Sequence, residues 1–153
     1  RDQMGHNEDY NRVDTLAALA QKAAEYDTAI ALEFMMFTQC RNLTDAVEIV
    51  RAANESNIVI LPDVLHVIRS GGSVEQLREI DPALLVYAQV CGAHGANAAA
   101  PGAVACHQVR EFVQALPAST IISVESPLEG QANPADPFDL AVRMMAAGRA
   151  VSE

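Results

Sequence analysis

Clusters of lysine and arginine are missing from this sequence, and with them the means to neutralise a phosphate backbone. Ten basic residues stand against 20 acidic ones, a formal net charge of −10, so neither nucleic acid nor an anionic membrane surface is an expected partner. Cysteine pairs are missing too. Cys40, Cys91 and Cys106 are odd in number and never form a CxxC. This argues against a disulfide framework or a zinc knuckle and fits a reducing, cytoplasmic setting. No apolar run approaches the ~20 residues that cross a bilayer, and the polar start RDQMGHNEDY does not resemble a signal peptide. Nor does the chain carry a GxGxxG, a Walker loop, HExxH or GxSxG, so nucleotide, zinc-protease and serine-hydrolase readings lack support. The opening Arg1, in place of a methionine, is read as the mark of a fragment or a processed product.

What is present is a repeat of short greasy runs. Half of the 153 residues are apolar, enough to bury the core of a single domain over 1–153. TAIAL (28–32), NIVIL (57–61), LLVYA (84–88) and TIISV (120–124) are unbroken rather than alternating, the pattern of strands buried on both faces. Helical patterns lie between and around them, at 10–26, 43–54, 74–79, 105–115 and 136–150. Ala46, Val47 and Val50 share a face of the second of these, and Thr44 is placed to cap its start. Strand–helix alternation with short loops predicts an α/β fold of parallel βα units. The small-residue stretch GAHGANAAAPGA (92–103) reads as a loop after the third strand.

A polar residue follows each greasy run: Glu33, Asp63, Gln89 and Glu125. They recur roughly 30 residues apart, about one βα unit. Ligands of parallel α/β folds bind at the carboxyl ends of the strands, so four such ends would bring these side chains to one point. Each also has a plainer reading. Glu33 and Glu125 could be solvated strand-end carboxylates, and Ser126-Pro127 could simply start a loop. Asp63 could cap a helix beginning at Val64. Gln89 could be a buried amide serving backbone groups. His66 could be a structural histidine, and Arg69 with Ser70-Gly71-Gly72 either a surface turn or a guanidinium and N–H cradle for a phosphate. The cysteines, Met35-Met36 and Met144-Met145 read as packing residues, and His6 and His107 as surface.

ALEFMMF (31–37), LPDVLHVIRSGG (61–72), LLVYAQVCGA (84–93) and ISVESP (122–127) resemble the sugar phosphate isomerase/epimerase family with the xylose isomerase-like TIM barrel. The order and spacing of LEF, DxxH and VES align the chain with the C-terminal half of that (β/α)8 barrel, strands five to eight. The resemblance implies a divalent metal held by Glu33, Asp63, the position of Gln89, and Glu125, with His66 touching substrate oxygens. It further implies that Glu33 and Glu125 exchange protons with a sugar or polyol from opposite faces, through an enediolate. Oxygen ligands favour Mn²⁺ or Mg²⁺, with Co²⁺ or Zn²⁺ as softer alternatives. The sequence departs from the family at Gln89, where histidine is common, and at Gly92, where many members have aspartate; His94 is a candidate replacement.

Four strands cannot close a barrel of eight, and their open edges lead to the expectation of a missing N-terminal half-barrel or a homo-oligomer. A related metal-dependent dehydratase, or a non-catalytic half-barrel that binds a partner or itself, is the alternative to the isomerase or epimerase reading.

Overall fold

A computed structural model describes residues 11–91, 106–125 and 137–152. Helix α1 (Arg12–Ala24) is followed by β1 (Ile30–Glu33), α2 (Leu43–Ala53), β2 (Ile58–Leu61), the short α3 (Val64–Arg69), β3 (Tyr87–Val90), α4 (Cys106–Ala115), β4 (Ile121–Val124) and α5 (Pro137–Ser152). Two 3₁₀ segments, Val74–Glu79 and Pro82–Leu84, lie between α3 and β3. All strand pairs are parallel. β1 pairs with β2 and β3 with β4. A parallel bridge between Asp63 and Gln89 joins the two pairs, with the Gln89 N–H donating to the Pro62 carbonyl at 3.0 Å. The strands therefore lie side by side in chain order, as they do along the wall of a barrel.

Local chemistry explains the boundaries. The Asn11 side chain accepts from the backbone N–H groups of Val13 and Asp14 and starts α1. Asn42, not Thr44, caps α2. Asn42 sits in extended backbone one residue ahead of the helix, so its side-chain oxygen reaches the Asp45 N–H at 2.9 Å. The third strand begins later than the run LLVYA suggests. Asp81 and Pro82 set up a 3₁₀ turn that takes the Leu84 and Leu85 N–H groups, and those residues cannot join the ladder. Gln89 consequently lies inside β3 rather than beyond its end.

The core forms between the sheet and the helices. Ile58, Ile60, Ala88 and Val90 on the strands meet Leu16, Ala46, Ile49, Val50, Val109 and Phe112 on the helices, all buried. Each large side chain withdrawn in this way contributes about 1.5–3 kcal/mol. At Gly148 a Cβ would come within 2.8 Å of Val124 Cγ2, so glycine lets α5 approach β4 closely. The expectation of strands buried on both faces holds best for β2. In the outer strands Ala31 and Ile121 are exposed, Ile121 at 65%. They face away from the helices.

Candidate functional site at the carboxyl ends of the strands

Register decides which side chains share a face. Partners in a parallel pair point the same way, and residues two apart along a strand do so too. Glu33 pairs with Leu61, two residues before Asp63; Asp63 pairs with Gln89; Gln89 pairs with Ser123, two residues before Glu125. All four polar residues thus belong to the face opposite the helices. Ala31 and Ile121 lie on that face as well.

Electrostatics agrees with this grouping. Burial pushes the Glu33 carboxyl above its ordinary value; His66 pulls it back, and the Asp63 and Glu125 charges push it further up. The Asp63 carboxyl is raised too, chiefly by burial, against hydrogen bonding from the Leu65 N–H and the attraction of His66. Acids buried near one another behave in this way. His66 Nε2 lies 3.6 Å from Glu33 Oε1. Glu125 is exposed and tied by its N–H to the Val90 carbonyl at 2.9 Å.

Among the described residues, two buried polar atoms lack a hydrogen-bond partner, His66 Nδ1 and Gln89 Oε1. Such atoms are rare in folded proteins, because a lost hydrogen bond to water costs free energy. Asp63 does what the plainer reading expected: its Oδ1 accepts from the Leu65 N–H at 2.6 Å and caps α3. It also sits on the shared face, so capping and a place in the site coexist.

Not every expected contribution is present. Arg69 is exposed and makes no ion pair among the described residues. The N–H groups beside it are spent closing the end of α3: Ser70 donates to His66, Gly71 to Ile68 and Gly72 to Val67. Gly71, at φ +76°, supplies the left-handed turn this closure needs. A phosphate cradle at 69–72 therefore does not form. His94, Gly92 and Ser126-Pro127 lie outside the described residues. His107 is exposed, as expected. Met36 and Met145 are more than half exposed rather than packed. Among the described residues, no three His, Cys, Asp or Glu side chains are gathered closely enough to hold a metal ion. An open depression of about 660 Å³ lined by Asn11, Arg12, Val13, Gln39, Arg41, Asn42 and Asp45 shares no residue with the Glu33 group.

Sequence reasoning passed over two neighbours. Cys91 is buried with Sγ 3.9 Å from Asp63 Oδ1, and its thiol is pushed up to about 12 by burial and by the Asp63 charge. Its position two residues after Gln89 was the available signal. Phe37 packs edge-on against His66, ring centroids 6.5 Å apart at 74°. Here the signal was an aromatic residue in a strand-end loop.

Known proteins resemble the chain in sequence and in fold. Over 71 residues the chain is 35% identical to the inosose isomerase of Bacillus subtilis (strain 168), a match covering 45% of the chain and 26% of that protein. The crystal structure of IOLI protein with a binding zinc atom superposes with a TM-score of 0.69 at 21% identity, over 92% of the chain and 55% of that structure. D-psicose 3-epimerase in the presence of D-fructose gives a TM-score of 0.71 at 15% identity, over 97% and 60%. The chain thus spans about a quarter of the first protein and little more than half of the other two, and the two structural likenesses speak to the fold. The sequence profile of the xylose isomerase-like TIM barrel matches residues 6–147. The chain belongs to the xylose isomerase-like TIM barrel family.

Proposed function

We propose that this chain carries the metal-binding and proton-transfer half of a sugar isomerase or epimerase, corresponding to strands five to eight of the barrel. The observation that carries the reading is the shared face of Glu33, Asp63, Gln89 and Glu125, set by strand register. The donor set suits a divalent cation. Three carboxylates and an amide oxygen are hard ligands, and the unpartnered Gln89 Oε1 is an acceptor awaiting a partner. The described side chains do not yet form a closed group, but Glu33 and Glu125 both touch solvent and can turn by rotamer change. Asp63 and Gln89 are the less mobile pair, held together through the bridge.

A cation bound there would stabilise negative charge on the substrate's carbonyl oxygen once a neighbouring carbon loses its proton. The chain's own residues would do the rest. Glu33, at the end of β1 beside His66, would take and return that proton. Glu125 would serve the opposite face of the enediolate, with His66 placing a substrate hydroxyl. Arg69 would have to reach substrate from the exposed end of α3. Mn²⁺ or Mg²⁺ fits the oxygen donors best, and the zinc in the IOLI structure keeps Zn²⁺, like Co²⁺, in view.

Calorimetric titration of Mn²⁺ and Zn²⁺ into the folded chain and into Glu125→Gln tests the reading. One-site binding that weakens in the variant is expected. A folded sample that takes up neither ion sinks it. A second reading, a non-catalytic half-barrel acting through self-association, draws support from the uncovered Ile121 and from glutamine at position 89.

A further inference from the structure

The loop after β1 is a closed, hydrogen-bonded turn with an aromatic ring at its tip. Phe34 anchors one end, fully buried. The Met35 N–H donates to the Cys40 carbonyl at 2.8 Å and the Thr38 N–H to the Met35 carbonyl at 2.9 Å. The Thr38 hydroxyl lies within hydrogen-bonding distance of both those carbonyls, and the Arg12 guanidinium donates to the Gln39 carbonyl. This turn displays Phe37 at 77% exposure, edge-on to His66, whose Nε2 meets Glu33. Leaving a phenylalanine in water forgoes the gain of burying it. So well-braced a turn presents the ring rather than letting it stray.

Sugars offer hydroxyls on their edges and bare C–H groups on their faces. An aromatic ring beside an acid–imidazole pair matches both at once: the ring takes the C–H face while the polar pair takes the hydroxyls. The charges around this ring are acidic. Glu33, Asp63 and Glu125 feel one another, and the N–H groups of 70–72 are already spent. We infer that Phe37 is a specificity-determining wall that seats the C–H face of an unphosphorylated sugar against His66 and Glu33. This rests on the proposed isomerase or epimerase reading and narrows its substrate class.

Saturation-transfer NMR and calorimetry, with Mn²⁺ present, would compare D-fructose, D-psicose, an inosose and D-fructose 6-phosphate on the wild-type chain, Phe37→Ala and Phe37→Tyr. At least one neutral sugar should bind more tightly than the phosphate ester. Phe37→Ala should weaken it about three- to tenfold, the scale of an aromatic contact, while Phe37→Tyr retains it and Mn²⁺ affinity stays unchanged in both. Unaltered sugar binding in Phe37→Ala, tighter binding of the phosphate ester, or Mn²⁺ binding with no sugar bound would each overturn the inference and leave the functional reading standing. A wild-type chain that binds neither Mn²⁺ nor Zn²⁺ overturns the functional reading, and the inference with it.

Discussion

The imidazole of His66 reaches across from the first turn after β2 to the carboxylate that ends β1, Nε2 to Glu33 Oε1 at 3.6 Å. This contact opposes the burial and the neighbouring acids that raise the Glu33 carboxyl. Replacing His66 by alanine removes the opposing influence and should move Glu33 further up. A carboxyl-carbon NMR titration of the two proteins reads the change directly; a downward or absent shift would refute the pairing.

Gln89 Oε1 is buried without a partner. The near-isosteric Gln89→Met removes that orphan and should raise the stability of the metal-free chain by about 1–3 kcal/mol, the cost of a buried unsatisfied group. The same change should weaken Mn²⁺ binding. Denaturant melts and metal titrations on one pair of samples measure both, and a variant that loses stability contradicts the assignment.

Asp63 has a capping role and a proposed ligand role that substitution can separate. Asparagine caps helices as well as aspartate does, so Asp63→Asn should keep the fold and lose metal affinity. Asp63→Ala should also lose about 1 kcal/mol of stability with its cap. Equal metal affinity in wild type and Asp63→Asn would leave Asp63 as a cap alone.

The pH dependence of stability has a definite sign here. Glu33 and Asp63 have carboxyls raised above their ordinary values of 4.5 and 3.8, so the folded state binds these two protons more tightly than the unfolded chain. Their contribution is greatest below the unfolded values and is lost as pH rises through the window up to the raised ones. Between wild type and the Glu33→Gln, Asp63→Asn double variant, the wild type should lose more stability on going from the acidic side of that window to neutral pH. Calorimetric melting temperatures at several pH values give the comparison.

The open edges of β1 and β4, each paired on one side only among the described residues, together with the exposed Ile121, predict association. Light scattering should find more than a monomer for the isolated chain, and Ile121→Lys should shift it toward one. A well-behaved monomer at high concentration argues against the open-edge reading.

The order of elements was legible because it rests on local patterns. Unbroken runs such as NIVIL mark a strand wherever they occur, and the helical face of Ala46 and Val50 needs only a periodicity of 3.6. Errors arose where neighbours compete for one hydrogen bond. Asn42 outreached Thr44 at the start of α2, and the Asp81-Pro82 turn took residues that LLVYA had assigned to a strand. The greasy runs of β1 and β4 could not reveal that one side of each lies open, since a strand's composition says little about which neighbours cover it.

By itself, then, the sequence determined the α/β alternation, the acidic balance and the recurrence of a polar residue near each strand end, all properties of short stretches. Tertiary structure decided which of those residues share a face, because side-chain direction follows from strand register, and register from hydrogen bonds between segments far apart in the chain. It also brought Phe37 to His66 and Cys91 to Asp63. It spent the N–H groups of 70–72 on closing a helix, because a helix end must satisfy its last carbonyls before its neighbours can serve a ligand.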